Sequence, residues 1–327
     1  MKAIVLTKYG SPNFLELKEV EKPKPKDNEV LIKNFAVSIN SWDWEILMGK
    51  PFVNRLMVGL FKPTKIKILG CDIAGRVEAV GKNVKLLKLG DEVFGDLSKC
   101  GWGGFAEYVC ACENALALKS ANMTFEQAAA IPQAGLLALQ SLRYKGDVRP
   151  GEKVLFNGAG GGVGTFGVQI AKSMGAEVTG VDNTDKLNTV SSLGADCVID
   201  YTKEDFTKNG LCYDRIIDVA AYRTILDYKR ALSPKGIFVM VGGSLSILKL
   251  LLLGPLISIT ESKKMGVLLH KPNQGLDFIK ELFEAGKIVP IIDRYYPLDK
   301  VAEALQYFGE GQVKGKIVIT VNCDKEI

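Results

Sequence analysis

The segment FNGAGGGVGT, Phe156 to Thr165, places five glycines in ten positions. Glycine loses more backbone freedom on folding than any other residue, so this density needs a use. Bare N–H groups at the start of a helix bind phosphate, because they point outward with the positive end of the helix dipole. The spacing Ala159-x-Gly161-x-x-Gly164 suits that chemistry. A small first residue permits a tight turn, Gly161 lets the backbone approach a pyrophosphate, and Gly164 lets helix and strand pack closely. Asp182 follows Gly161 by 21 positions, where an acid can meet the adenosine ribose. The segment reads as a dinucleotide site with candidate contacts at Ala159, Gly161, Gly162, Val163, Gly164, Asp182, Asn183 and Gly242.

Other chemistries lack their parts. The single histidine, His270, leaves no Ser/His/Asp set. The seven cysteines are scattered, apart from Cys110 and Cys112, and read as reduced thiols of a cytoplasmic protein. Net charge is +5 with the basic residues spread along the chain, so no nucleic-acid footprint is expected. EKPKPK, Glu21 to Lys26, reads as an extended connector. The start of the chain holds too short an apolar stretch for a signal peptide. The longest apolar run, Leu245 to Ile259, is broken by Lys249 and Gly254-Pro255 and is too short to span a bilayer. Core packing is its first reading, a lid for a greasy substrate the second, and membrane-surface contact, not otherwise expected, the third.

The elements that must hold the glycine turn are legible. EKVLFNG reads as a buried strand, FGVQIAKSMGA as a helix and EVTGVD as a second strand ending in the acid. The alternation continues through TDKLNTVSSLG, ADCVIDY, YDRIIDVA, YRTILDYKRAL, GIFVMVGG and NQGLDFIKELFEAGK. Residues 123–287 are therefore expected to form a doubly wound α/β Rossmann domain. Residues 1–122 carry short β-like pieces between Gly, Pro and Asn, and predict a mostly β domain. Residues 288–327, with the strand GKIVITV, are expected to return to it.

Three stretches carry a family resemblance: GCDIAGRVEAVGKNVKLLKLGDEV, NGAGGGVGTFGVQIAKSMGAEV and the closing GKIVITV. The chain resembles the medium-chain dehydrogenase/reductase superfamily in its zinc-free quinone oxidoreductase-like branch. That resemblance implies a GroES-like substrate domain, an active site between it and the Rossmann domain, and a homodimer. Where zinc-dependent relatives place ligands, this chain has Asn40 and Gly70-Cys71-Asp72. Zinc needs at least three protein ligands, so no metal is expected. Cys71 reads as a buried small residue.

Without zinc, alcohol oxidation loses its Lewis acid. Hydride donation to a quinone or an α,β-unsaturated carbonyl remains, with developing oxygen charge needing hydrogen-bond donors. Asn40 and Asp43 fall on the family's Asn-Pro-x-Asp segment and are the catalytic candidates, Asp43 equally a turn-holding acid. Trp42 and Trp44 read as core before pocket. The resemblance places Lys186 and Tyr201 at the 2′-phosphate of NADPH, while Asp182 favours NADH; NADPH is expected, with NADH possible. The alternatives are an NADPH-binding redox-responsive or structural protein with little turnover and, less favoured, a zinc-type alcohol dehydrogenase.

Overall fold

The computed structural model describes residues 1–242, Leu250 and 262–321. The run Leu245 to Ile259 lies outside them, except Leu250, which is buried. The chain forms two compact units: residues 1–133, 272–284 and 292–327, and residues 134–271 with 285–291.

The first unit begins with a hairpin of β1 (Lys2–Leu6) and β2 (Leu15–Glu19). Its main sheet is built on β3 (Glu29–Ser38), β4 (Asp72–Val80), β5 (Glu92–Asp96), β6 (Tyr108–Cys112) and β7 (Ala117–Leu118). Between β3 and β4 lie two short helices, α1 (Ser41–Met48) and α2 (Phe52–Val58). The sheet buries Val30, Ile32, Val37, Ile73, Val77 and Phe105 in one apolar core. Helix α3 (Phe125–Ala130) opens on a Thr124–Gln127 capping box. Phe125 stacks on Phe35 of β3 with ring centroids 4.5 Å apart. Helix α4 (Pro132–Leu142) carries the chain into the second unit.

The second unit is a six-stranded parallel sheet. Its strands are β8 (Lys153–Asn157), β9 (Glu177–Asp182), β10 (Cys197–Asp200), β11 (Tyr213–Asp218), β12 (Leu232–Met240) and β13 (Lys264–Val267). Their spatial order is β10-β9-β8-β11-β12-β13, parallel throughout. The crossover helices include α5 (Gly162–Ser173), α6 (Thr184–Ser192) and α7 (Ile225–Ala231). Strand order reverses between β8 and β11, and in such sheets ligands bind at the carboxyl ends of the strands flanking the reversal. The fold is thus α/β, a Rossmann-type sheet with a mostly β GroES-like unit.

The last elements return to the first unit: α8 (Leu276–Glu284), β14 (Ile292–Pro297), α9 (Val301–Gly309) and β15 (Lys316–Thr320). β15 lies between β14 and β3. Two segments that the sequence assigns to the Rossmann domain, 123–133 and 272–284, group with the first unit instead. The cause is specific contacts. Phe125 is held by Phe35, Asn273 exchanges hydrogen bonds with the Asp96 backbone at 2.8 and 2.9 Å, and the Ser120 hydroxyl donates to Glu284. The helical pattern of α8 is real, but its partners are not those of the sheet before it.

Candidate active site

The glycine turn leaves β8 as its sequence requires. The N–H groups of Gly158 and Ala159 donate to the Val181 carbonyl at 2.9 and 3.0 Å, tying the turn to β9. Gly161 caps α5. The three N–H groups that follow, on Gly162, Val163 and Gly164, belong to the first helical turn and have no carbonyl to reach within the helix. The glycines differ in what a side chain would meet. A Cβ on Gly164 would lie 2.2 Å from the Gly158 oxygen, and one on Gly167 would lie 2.2 Å from the Phe156 ring. Those two are needed for α5 to sit on β8. A Cβ on Gly161 would meet only the Gly158 oxygen, at 3.7 Å, so bare backbone there faces open space.

Asp182 ends β9 with both oxygens engaged. Oδ2 accepts the Gly160 N–H at 2.8 Å and Oδ1 accepts its neighbour Asn183 at 2.9 Å. Lys186, one turn into α6, brings its ammonium to 3.9 Å from Oδ1. Its stem covers Gly160, where a Cβ would lie 2.6 Å from the Lys186 Cβ. Tyr201 donates its N–H to the Asp182 carbonyl at 3.1 Å and leaves its ring 40% exposed, beside Tyr222. The structure therefore gathers Ala159, Gly161, Asp182, Asn183, Lys186 and Tyr201 at the carboxyl edge of β8 and β9. Gly242 follows β12 with φ +88°, past the Val241 N–H that bonds Asp218.

At the strand-order reversal stands a network that sequence reading missed. Asn157 of β8 donates to Asp218 Oδ1 of β11 at 2.9 Å and accepts from the Tyr222 hydroxyl at 3.2 Å. Asp218 Oδ1 also accepts the N–H groups of Ala220 and Ala221. Burial pushes this carboxyl above its ordinary value while those donors pull it down. The signal was available: a polar residue closes each strand directly after an apolar run, Val-Leu-Phe in β8 and Ile-Ile in β11.

In the first unit, Asn40, Cys71, Asp72 and Lys316 form a buried polar cluster. The Lys316 ammonium donates to the Ile39 carbonyl at 2.9 Å and to Asn40 Oδ1, and lies 3.9 Å from Asp72 Oδ2. An ammonium can only donate, so the Asn40 amide must turn its oxygen to Lys316 and its NH₂ away. That NH₂ points at Cys71 Sγ, 3.6 Å distant, a weak acceptor. Gln133 adds a donor to the same sulfur at 3.7 Å and gives its backbone N–H to Asp72 Oδ2 at 3.0 Å. Burial drives the Cys71 thiol well above its usual value, with Asp72 adding to the rise. Burial likewise raises Asp72 and lowers Lys316, and each opposes the shift of the other by its charge. Cys71 is the buried small residue expected of it.

Asp43 is wholly buried. Its two oxygens accept the N–H groups of Asn40 and Gly70, each at 2.8 Å. This is a turn-holding arrangement, and among the described residues these two N–H groups are its hydrogen-bond donors. Burial pushes its carboxyl up to about 7. Trp44 packs on the first-unit core, where Gly309 leaves room for its ring. Trp42 is 37% exposed and faces Trp102. His270 is half-buried.

Residues 26–121 match the alcohol dehydrogenase GroES-like domain family and residues 193–319 the zinc-binding dehydrogenase family. The chain is 35% identical to 2-methylene-furan-3-one reductase of Solanum lycopersicum, over 98% of this chain and 79% of the relative. Among solved structures, the quinone oxidoreductase of Coxiella burnetii superposes with a TM-score of 0.87 at 29% identity, covering 98% of this chain and 99% of that one. The Escherichia coli quinone oxidoreductase, solved with NADPH, gives 0.84 at 26% identity, covering 98% of this chain and all of that one. The chain belongs to the medium-chain dehydrogenase/reductase superfamily, in its quinone oxidoreductase-like branch. It is an NAD(P)H oxidoreductase.

Proposed function

We propose that this protein uses NADPH to reduce quinones or α,β-unsaturated carbonyl compounds, without zinc. The observation that carries the cofactor half is the open glycine turn backed by Asp182 and Lys186. When bound, the nicotinamide cofactor supplies a hydride. The first-turn N–H groups of α5 would hold its pyrophosphate oxygens. The Asp182 charge is engaged by two backbone N–H groups and by Lys186, so a 2′-phosphate does not meet a bare carboxylate. Lys186→Ala is expected to weaken NADPH about tenfold or more while changing NADH little, given the worth of a charge-assisted hydrogen bond. Equal losses in the two titrations would remove Lys186 from phosphate recognition.

The donor set in the first unit does not suit a zinc ion. Ligand atoms of Cys71, Asp72 and Asp96 do lie within 4.8 Å of one another. A cation already serves them: Lys316 sits against Asp72. Asp72 Oδ2 accepts Gln133 and Ser38, Asp96 Oδ1 accepts the Ser98 N–H, and Cys71 Sγ already receives the Asn40 and Gln133 amides. The chemistry is therefore carried by residues. Lys316 polarises the Asn40 amide, whose NH₂ lies toward Cys71 and Asp72, and a substrate carbonyl oxygen would compete for one of its N–H groups. The amide then stabilises the negative charge that develops on that oxygen.

The test is a spectrophotometric screen of NADPH oxidation against quinones and enones, with and without chelator. Turnover that survives chelation supports the reading, and none with any acceptor would overturn it. On the best acceptor, Asn40→Ala should lower kcat about tenfold to a hundredfold with NADPH affinity unchanged. A wild-type kcat with only a lowered melting temperature would make Asn40 a loop-holding residue.

A further inference from the structure

We propose that the α2 region is a docking face for anionic bilayer surfaces. Between Lys50 and Lys67 the protein turns outward six large apolar side chains: Phe61 at 89% exposure, Met57 at 68%, Phe52 at 61%, Leu56 at 60%, Val53 at 52% and Leu60 at 42%. Contiguous apolar exposure of this kind marks an interaction surface rather than ordinary solvent contact. The backbone that presents it is firmly held. The Tyr9 hydroxyl donates to the Gly59 carbonyl at 2.7 Å, and Arg55 donates to the Gly49 carbonyl at 3.1 Å. Both Thr64 and Lys65 return their N–H groups to the Val58 carbonyl, at 3.1 and 3.0 Å. A Cβ on Gly59 would collide with the Lys62 carbonyl at 2.2 Å. The turn after α2 is therefore tight, and its tip carries Leu60 and Phe61.

Charge selects the occupant. The same stretch contains Lys50, Arg55, Lys62, Lys65 and Lys67 and no Asp or Glu. Lys50, Lys62, Lys65 and Lys67 are exposed. Apolar side chains at the tip with lysines beside them are the composition that inserts into an acyl boundary while contacting anionic headgroups. A second copy meeting this face symmetrically would bring ten basic groups together with no acid to offset them, which disfavours self-association. No helix among the described residues is long and apolar enough to cross a membrane, so the contact is one of surface adsorption.

The experiment is co-flotation of the full chain with vesicles of phosphatidylcholine alone, or with about a quarter phosphatidylserine. Binding is expected to the anionic vesicles and to weaken as salt is raised. Lys62→Ala/Lys65→Ala/Lys67→Ala should lower the partition coefficient about a hundredfold. Met57→Ser/Phe61→Ser should lower it at least tenfold per side chain, to order of magnitude. Both variants should keep their wild-type mass in sedimentation and their wild-type KM for a water-soluble acceptor in vesicle-free buffer. Absence of binding, or equal binding to neutral vesicles, overturns the proposal. A mass that falls with Met57→Ser/Phe61→Ser assigns the face to a second copy, and a raised KM assigns it to substrate. Either result also overturns it. The flotation and sedimentation outcomes stand apart from the acceptor class proposed above; only the KM arm rests on it.

Discussion

Lys316→Met is expected to cost the fold about 3–5 kcal/mol near neutral pH, as removal of one partner from a buried charge group does. The ammonium is only 4% exposed, and its neighbours include Asp72 and the wholly buried Asp43. Methionine fills much of the volume but leaves the carboxyls without a counter-charge. Both then titrate still higher than they do with Lys316 present, where burial already holds Asp43 at about 7. In the unfolded chain an aspartate titrates near 4. A carboxyl raised on folding stabilises the native state below its unfolded pKa and loses that contribution as pH rises through its folded one. Both proteins lose that contribution alike up to about pH 7, and only the variant goes on losing it above, so its deficit should grow as pH rises through about 7. Urea melts of both proteins at pH 5 and pH 8 measure it. An equal deficit at the two values would mean that Lys316 acts through packing alone.

Gly161→Val should leave the fold intact and weaken NADPH about a hundredfold or more, through loss of two or more charge-assisted contacts to the pyrophosphate. The position tolerates a Cβ as far as the protein is concerned, with its nearest neighbour at 3.7 Å, and its φ of −87° is open to any residue. What the valine obstructs is the phosphate path. Gly164→Ala is the complementary change. Its Cβ would strike the Gly158 oxygen and the Ala159 backbone, so α5 must move, at about 1–3 kcal/mol. Cofactor titration and thermal melting of the two variants should separate the roles. If Gly161→Val binds NADPH like the wild type, the open backbone at that position serves the turn alone.

The features read most easily from sequence are those set by near neighbours in the chain. The glycine turn, the strands on either side of it and the acid ending β9 all lie within Lys153 to Asp182, and each has a local cause. The parts that escaped depend on distant residues. Lys316 opens an apolar strand, where a charge ordinarily marks the solvated end. Its partner Asn40 stands 276 positions earlier. The helices α1 and α2 escaped because SWDWEILM and FVNRLMV carry no clean apolar stripe, and α2 turns its apolar side chains to solvent instead of to a core. Among the described residues an exposed apolar surface lies at residues 52–61, a stretch that drew no attention in sequence. Hydropathy counts apolar residues, but exposure depends on which of them find a partner.

The place of β15 also bears on how the chain matures. This strand pairs on one edge with β14 and on the other with β3, where Val318 meets Ser38 and Thr320 meets Ala36. The parallel sheet of the second unit uses strands between residues 153 and 267, so all of its strands emerge during synthesis before β15 does. The first unit waits for residues 316–320, because one edge of its central strand β3, paired by β6 over Glu29 to Lys33, stays open at Ala36 to Ser38 until they arrive. Contacts of such sequence separation are slow to form, and an exposed strand edge is a template for pairing with other chains. The half of the protein made first is thus the last to close, and its burden on folding assistance falls on β3 during that interval.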